Sequence, residues 1–388
     1  MSAPALSDPP PLALYIHWPY CARICPYCDF NVVRDRGQAE QASLADAILR
    51  DLEGQAALTG PRRLVSIFFG GGTPSLMHPE WAARIVGTAR RLWTPAERVE
   101  ITLEANPTDA EAGRFAAFAD AGVNRLSLGV QSFDDAALRF LGRNHDAAEA
   151  RRAAGMAREQ FEQLSLDLIY ALPDQTPQAW SAQIDDALAF RPDHISPYQL
   201  TIETGTAFGR AAERGALIPS SPDVGADLYE LTQTRLSAAG FEAYEVSNHA
   251  RGAAARSRHN LAYWRGEDYV GVGPGAHGRV TLNGARLATE AARDVKAYIE
   301  AVDRTGVGFA SRETLSPREA ALERLLMGLR THEGVCWRDL APLGLAADSA
   351  TTTELARLGL LDAGETRLRA TAAGRPVLDR VIAELADA

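Results

Sequence analysis

Three closely spaced cysteines constrain this chain more than any other feature of its sequence. Cys21, Cys25 and Cys28 have the spacing C-x3-C-x2-C and directly follow a predicted strand. The remaining cysteine of the 388-residue chain, Cys336, is distant in sequence. Thiolates gathered on one loop suit soft metals, which include iron–sulfur clusters, zinc and cuprous ions. The loop therefore predicts a metal centre.

The residues leave two kinds of metal centre open. A structural zinc site needs four ligands in a tetrahedron, and His17 on the preceding strand is the candidate for the fourth. Three cysteines instead suit a 4Fe–4S cluster in which one iron has no protein ligand. We favour the cluster because zinc modules usually carry two cysteine pairs. The open iron would then be a binding position for a second molecule.

Composition excludes several other classes of protein. The chain is 46% hydrophobic and 23% charged, as expected for a globular protein. Its net charge of −10 offers no general attraction for phosphates, so we expect no nucleic-acid partner. The sequence has neither the pattern of a signal peptide nor an apolar run that could cross a bilayer. We therefore expect a cytoplasmic protein without a transmembrane segment, in a reducing compartment that suits free thiolates.

The first part of the chain alternates between predicted strands and predicted helices. Helical patterns include the Leu44, Ile48 and Leu52 series, Ala110–Ala121 and Pro177–Phe190. The apolar runs that predict strands are Leu12–Trp18, Leu64–Gly70, Val99–Ala105, Arg125–Val130, Leu164–Leu172 and His194–Ile202. Such alternation favours parallel strands with right-handed crossovers. Six units are fewer than the eight of a closed barrel, so we predict an α/β fold with a partial (β/α)6 barrel.

The pattern changes near Gly240 to short strands and then to helices. The helical stretches include Pro317–Leu329 and Ala350–Leu360, and a short strand is predicted at Thr366–Ala370. Helices followed by a small hairpin predict an α+β, winged-helix-like domain. We therefore divide the chain into a barrel domain, residues 1–240, and a C-terminal domain, residues 241–388.

Glycines and polar residues stand at or near the ends of the predicted strands. They are Gly71, Gly72, Thr73, Glu104, Gln131, Arg143 and, within the fifth strand, Asp167. Ligands of parallel α/β folds collect at the carboxyl ends of the strands. Tight turns and structural hydrogen bonds explain each residue taken singly. Together with the cysteine loop they favour a small zwitterionic ligand that carries hydroxyl groups.

These motifs resemble those of the radical S-adenosylmethionine (SAM) superfamily. The cysteine loop follows Tyr-x-His-x-Pro and precedes Gly-Gly-Gly-Thr-Pro. Over nearly its whole length the chain is similar to the oxygen-independent coproporphyrinogen III oxidase group, and within that group to the HemW haem chaperones. The supporting segments are Gly129–Ser132, Asp167–Pro173, Glu245–Asn248, His259–Trp264 and Gly271–Gly278.

The resemblance implies three cofactors: a 4Fe–4S cluster, SAM and haem. Cys21, Cys25 and Cys28 would hold the cluster, and its open iron would take the amino and carboxylate groups of SAM. The implied SAM contacts begin with Tyr15, which precedes the loop, and with Gly71, Gly72 and Thr73, whose backbone groups would meet the methionine end. Glu104, Gln131 and Arg143 would contact the amino acid and ribose portions, with Asp167 also in the pocket.

Small features favour the chaperones over the oxidases. The oxidases carry a further cysteine two residues after the third cluster cysteine, where this chain has Phe30. The chaperone signature His-Asn-x-x-Tyr-Trp is intact and makes His259 the candidate haem contact, with His249 and His277 as alternatives.

The resemblance also implies partners for this chain. It implies delivery of haem to acceptor proteins, among which membrane-bound respiratory enzymes are one class, and it leaves a homodimer open. The signature is flanked by three arginines, Arg251, Arg256 and Arg258, that could meet the haem propionates. A solvated loop is the alternative interpretation of these arginines. A coproporphyrinogen oxidase or another radical SAM enzyme is the alternative function.

Overall fold

The computed structural model describes residues 8–387. Its strands are β1 (Pro11–Trp18), β2 (Tyr20–Cys21), β3 (Val33–Arg34), β4 (Arg63–Gly71), β5 (Thr94–Ala105), β6 (Arg125–Gln131), β7 (Gln163–Tyr170), β8 (His194–Gln199), β9 (Glu242–Ala243), β10 (His249–Ala250), β11 (Tyr269–Val272), β12 (His277–Leu282), β13 (Ala285–Ala291), β14 (Phe309–Thr314), β15 (Val335–Cys336), β16 (Leu361–Ala363) and β17 (Arg367–Ala370).

Its helices are α1 (Gln38–Thr59), α2 (Pro79–Leu92), α3 (Asp109–Ala112), α4 (Phe115–Asp120), α5 (Asp135–Phe140), α6 (Ala147–Gln160), α7 (Pro177–Ala189), α8 (Ala207–Glu213), α9 (Pro222–Ala238), α10 (Arg258–Trp264), α11 (Val295–Thr305), α12 (Pro317–Leu329), α13 (Trp337–Leu340), α14 (Ala350–Arg357) and α15 (Leu378–Ala386). Among these described residues, no helix is both long and apolar enough to cross a membrane.

Six consecutive parallel strands form the centre of the main sheet. Their order is β1, β4, β5, β6, β7 and β8, and each pairs in parallel with the next. Helices on the connections cover the outer face of the sheet, as parallel pairing requires. The predicted partial (β/α)6 barrel is confirmed.

The sheet extends beyond these six strands on both sides. On one side β11 pairs in parallel with β1, and β12 to β14 follow as antiparallel strands. On the other side β10 pairs antiparallel with β8. The result is a 12-stranded sheet. Strands after residue 240 therefore join the sheet of the barrel, while the domain boundary itself stays a prediction.

The alternation of side chains along β1 separates the core from the site. Leu14 and Ile16 are fully buried and pack with the apolar face of α1, where Leu44 and Ile48 have the predicted helical spacing. Tyr15 and His17 point to the opposite face and line a cavity. Because successive side chains of a strand face opposite sides, the outer face stabilises the fold and the inner face is free for ligands.

The last part of the chain has a core of its own. The strands β15, β17 and β16 form a small antiparallel sheet, and Leu325 of α12 and Leu368 of β17 are fully buried between the sheet and the helices. Helix α12 begins with a capping box, in which Ser316 and Glu319 satisfy each other's backbone N–H groups. This helical unit with a small sheet agrees with the predicted α+β C-terminal domain.

Several predicted elements are shorter in the structure. The strand predicted as His194–Ile202 ends at Gln199, and the helix predicted as Ala350–Leu360 ends at Arg357. The helical pattern Ala110–Ala121 is divided into α3 and α4 at Gly113. The pattern Leu164–Leu172 ends as β7 at Tyr170, because Ala171 has a φ of 58° and cannot continue an extended strand.

Candidate functional site

The cysteine loop is attached to the carboxyl ends of β1 and β4. Cys21 lies in β2, which pairs with β3, and the backbone N–H of Cys28 donates to the carbonyl of Cys25 at 3.2 Å. Thr73, just after β4, donates its backbone N–H to the carbonyl of Tyr20 at 2.8 Å. Its hydroxyl lies 3.6 Å from the Sγ atom of Cys21. These contacts fix the loop at the edge of the barrel where ligands collect.

The thiols need a positive partner if they are to ionise. Burial raises the pKa of Cys21 to about 11 and also raises the pKa of Cys28. The guanidinium of Arg143 lies 3.3 Å from the Sγ atom of Cys25 and is the cation at the loop. A bound metal centre would supply further positive charge, because metal-bound thiols are deprotonated.

The geometry does not assemble the alternative zinc site with His17. Both ring nitrogens of His17 are engaged: Nδ1 lies 3.0 Å from the hydroxyl of Tyr15 and Nε2 lies 2.8 Å from the carbonyl oxygen of Asn31. Within residues 8–387, no three His, Cys, Asp or Glu side chains are close enough to hold one metal ion. Three cysteines on an open loop fit the corners of a cluster, whose ligands are more widely spaced than those of a single ion.

A cavity of about 520 Å³ adjoins the three cysteines. It brings together nearly all the residues predicted to bind SAM, which are Gly71, Gly72, Thr73, Glu104, Gln131, Arg143 and Asp167. Tyr15 does not line this cavity and instead faces an adjoining one that shares Gly71 and Glu104. The volume lies in the range of about 300 to 1,000 Å³ that is usual for pockets of small-molecule ligands.

The glycines after β4 leave no room for side chains. A Cβ atom on Gly72 would lie 2.7 Å from the backbone of Pro19, and one on Gly71 would lie 2.6 Å from the ring of His17. Gly71 also has a φ of 109°, which residues with side chains rarely adopt. Here the chain can therefore present only backbone groups to a ligand.

Two carboxyl groups face the cavity from neighbouring regions of the sheet. The Oε2 atom of Glu104 accepts from the backbone N–H of Gly71 at 3.2 Å, and Asp167 accepts from the hydroxyl of Ser127 at 2.9 Å. Burial, followed by repulsion from Asp167, raises the pKa of Glu104 to about 8. Burial also raises the pKa of Asp167, while its hydroxyl partners oppose that shift. A cation bound nearby would favour the ionised form of both carboxyl groups, which is the better hydrogen-bond acceptor.

Two polar atoms in this cavity have no hydrogen-bond partner among the described residues. They are Oε1 of Gln131 and Nε of Arg143, and both are buried. Gln131 is held in a left-handed conformation with a φ of 63°. Buried polar groups are rarely left unpaired, and strained backbone is typical of binding sites. Both atoms fit a polar ligand such as the amino acid portion of SAM.

Asn106 is a site residue that the sequence prediction missed. Its side-chain amide donates to the hydroxyl of Thr73 at 3.0 Å, and its carbonyl oxygen accepts from Arg143. It thus joins the turn after β4 to the guanidinium beside Cys25. Its position just after the end of β5, two residues after Glu104, was the feature of the sequence that could have identified it.

The structure buries His259 between α10 and the barrel strands. Only 1% of His259 is exposed, and it lines a smaller cavity that shares Glu104 and Asp167 with the cavity beside the cysteines, which we call the SAM cavity after its predicted ligand. The Nδ1 atom of His259 lies 3.2 Å from the hydroxyl of Ser66, and Nε2 is hydrogen-bonded to the hydroxyl of Tyr263. Burial lowers the pKa of His259 to about 3, so its imidazole is neutral. Glu100 holds the helix there by accepting from the backbone N–H groups of its first two residues.

The three arginines beside the signature do not converge on one ligand. Arg251 packs over the ring of Phe241, with its Cζ atom 4.2 Å from the ring centroid. Arg256 pairs with Glu242 at 3.0 Å, and Arg258 donates to a backbone carbonyl of β5. The three side chains have separate partners, and their role toward haem propionates stays a prediction.

Comparison with known proteins identifies the superfamily and the fold of this chain. The model of the Radical SAM superfamily matches residues 15–186, and that of the HemN C-terminal domain matches residues 315–377. The chain is also similar to a solved structure of coproporphyrinogen III oxidase (HemN) from Escherichia coli, with a TM-score of 0.81 and 24% identity over 98% of this chain and 91% of that one. At this identity the likeness establishes the fold.

Curated relatives show the family. Heme chaperone HemW from Bacillus subtilis is 35% identical, with 93% of this chain and 95% of the relative covered, and HemW from Escherichia coli is 42% identical over 75% and 76%. Mouse radical S-adenosyl methionine domain-containing protein 1, mitochondrial, is 41% identical over 96% of this chain and 87% of the relative. The chain therefore belongs to the radical SAM superfamily and, within it, to the family that contains HemW and radical S-adenosyl methionine domain-containing protein 1.

Proposed function

We propose that this protein is a haem chaperone that holds a 4Fe–4S cluster, binds SAM beside it and delivers haem to acceptor proteins. The observation that carries the proposal is the convergence of Cys21, Cys25 and Cys28 with the predicted SAM contacts on one cavity. The relatives named HemW supply the chaperone role.

The residues of the cavity suit the separate parts of SAM. Gly71 and Gly72 would meet the methionine portion with backbone groups, and Arg143 would donate from its unpaired Nε to the carboxylate. Gln131 would use its unpaired Oε1 as an acceptor. Glu104 and Asp167 would accept from the ammonium or from ribose hydroxyls. Tyr15 would contribute from the adjoining cavity.

An active radical SAM enzyme is the second candidate function. A reduced cluster of this kind can supply an electron that cleaves the sulfonium bond of bound SAM, with the reactivity belonging to the cofactors. Glu104 lines the SAM cavity and the adjoining one, so a molecule in the second cavity would lie beside SAM. We do not expect the substrate to be coproporphyrinogen III, because Phe30 stands where the oxidases have a cysteine.

We further propose a cytoplasmic location and acceptor proteins that use haem, among them membrane-bound respiratory enzymes. Free cluster thiolates require a reducing compartment. Relatives named mitochondrial occur at 41% identity. Size-exclusion chromatography with light scattering would show whether the protein forms a homodimer.

The decisive functional experiment compares two activities of one preparation. Cluster-loaded protein with SAM is incubated anaerobically with coproporphyrinogen III, and haem-loaded protein is mixed with membrane vesicles from haem-depleted cells. We expect haem to move to the vesicle proteins and no protoporphyrinogen to form. Formation of protoporphyrinogen without haem transfer would favour the enzyme instead.

A further inference from the structure

A second cavity, of about 590 Å³, lies between the extended part of the sheet and α12. We call it the arginine cavity, because four arginines line it: Arg279 of β12, Arg286 of β13, Arg324 of α12 and Arg293, which precedes α11. It shares Phe30, Gly71 and Glu104 with the SAM cavity, so the two adjoin. The SAM contacts account for the first cavity and leave the second without an assigned ligand.

Aromatic side chains form one wall of the arginine cavity. Tyr263 and Trp264 of α10 face it together with Tyr269 of β11, and the rings of Tyr263 and Tyr269 pack edge to face with centroids 4.4 Å apart. Phe30 stands at the mouth, where 64% of it is exposed. Phe30 thus adds an apolar side chain to the entrance of the cavity. Rigid aromatic walls suit a flat apolar ligand.

Arginines outnumber carboxyl groups around the cavity. Four arginines and two glutamates, Glu104 and Glu323, line it, although the chain has a net charge of −10. Arg279 pairs with Glu323 at 2.7 Å, Arg286 with Asp268 at 2.5 Å and Arg324 with Asp339 at 3.6 Å. Arg293 has no side-chain partner among the described residues. Positively charged side chains around an apolar wall suit a ligand that is flat and also carries carboxylates.

One imidazole in the arginine cavity is free to bind a metal. His277 of β12 lines the cavity, its side chain is 57% exposed, and its nearest charged neighbour is Glu290 at 4.0 Å. His17 also lines the cavity, but both of its nitrogens are engaged. His249 is buried elsewhere against Gln233, and His259 has both nitrogens engaged. Iron ligation needs an accessible nitrogen lone pair. The Nδ1 atom of His249 has no hydrogen-bond partner but is buried, so His277 is the one of these four whose free imidazole is also exposed.

We propose that the arginine cavity is the haem site, that His277 is the iron ligand and that Arg293 pairs with a propionate. The proposal rests on the haem chaperone function and names the site where haem binds. Tyr263 and Trp264 of the signature contribute the wall against which the macrocycle packs. His259 is a positioning residue that holds the hydroxyl of Tyr263 from beneath.

The test uses full-length, cluster-loaded protein titrated with haem and, in parallel, with metal-free protoporphyrin IX. His277→Ala should weaken haem binding about tenfold or more and change the Soret band, while protoporphyrin affinity stays within about twofold, because only haem offers iron. His277→Met should keep haem but shift its spectrum. His78→Asn is the control, since His78 is an exposed N-cap of α2 and asparagine retains the cap acceptor.

Titration with haem and with protoporphyrin IX also tests the role of Arg293. Arg293→Ala should weaken haem and protoporphyrin alike, by about tenfold, because both carry propionates. Arg304→Ala, on the exposed end of the neighbouring α11, is the matched control. Unchanged affinity and spectrum in His277→Ala, with loss of haem in His259→Ala, would overturn the site and leave the chaperone function standing. Failure of the unaltered protein to bind haem would overturn both.

Discussion

The Nη1 atom of Arg143 lies 3.3 Å from the Sγ atom of Cys25, so one guanidinium joins the SAM cavity to the cluster loop. We expect Arg143→Ala to weaken SAM binding about tenfold or more, because a charge-assisted contact is lost. The same change should lower the reduction potential of the cluster, since a positive charge beside its ligand stabilises the reduced form. Isothermal titration with SAM and anaerobic redox titration measure the two effects.

Arg143→Lys separates charge from shape in that experiment. Lysine keeps the positive charge but lacks the planar fork, so it should restore most of the potential and little of the SAM affinity. If both properties of Arg143→Ala match those of the unaltered protein, Arg143 is a structural residue.

Removal of any one cluster cysteine should abolish the cluster and leave the fold intact. Cys21, Cys25 and Cys28 lie on a loop outside the main apolar core, so the thermal unfolding of the metal-free variants should resemble that of the metal-free parent. Iron and sulfide analysis of Cys28→Ala, with Cys336→Ala as the control thiol, provides the measurement. Anaerobic protein that contains zinc in equal amount and no iron would contradict the assignment.

The stability of the metal-free protein should depend on the protonation of Glu104. Its pKa is raised from 4.5 to about 8 in the folded protein, so the folded state keeps a proton that the unfolded chain releases. The free energy of unfolding should therefore fall as pH rises from about 4.5 to about 8, by at most about 1.4 kcal/mol per pH unit from this group.

Glu104→Gln should make that decline shallower, because glutamine has no proton to release. Glu97→Gln is the matched control, an exposed glutamate on the same strand β5. Urea unfolding at several pH values gives the slopes. Equal slopes in the unaltered protein and Glu104→Gln would show that Glu104 is ionised in the folded state throughout this range.

Coproporphyrinogen III should not be converted by this protein. Phe30 occupies the mouth shared by both cavities, where the oxidases resembling this chain have a cysteine. The test is growth of an oxidase-deficient strain without oxygen, with an authentic oxidase as the positive control. Growth supported by this chain would place the enzyme function first.

The sequence was sufficient for the parts of the site that are local. The spacing of Cys21, Cys25 and Cys28 predicts a metal loop by itself, and the apolar periodicity of β1 and α1 predicts which faces are buried. Glu104 and Gln131 end their strands, and parallel pairing places such ends at one edge of the sheet. That rule explains why residues distant in sequence were correctly assembled on one cavity.

The burial of α10 and the meeting of side chains from distant segments could not be predicted from these local patterns. Residue pattern alone does not show that α10 turns inward, since this depends on Glu100 of β5 accepting from its first N–H groups. Arg279, Arg293 and Arg324 lie on separate elements and meet only because β11 pairs with β1 and brings β12 beside α12.

Equilibrium titration with haem tests most directly whether this protein binds haem specifically. Anaerobic, cluster-loaded protein is titrated with haem in the presence of SAM while the Soret band is followed. We predict saturation at one haem per chain with a spectrum typical of histidine-ligated iron, and a shift of that spectrum in His277→Met. Binding that does not saturate, or a spectrum equal to that of free haem, would show that the protein has no specific haem site.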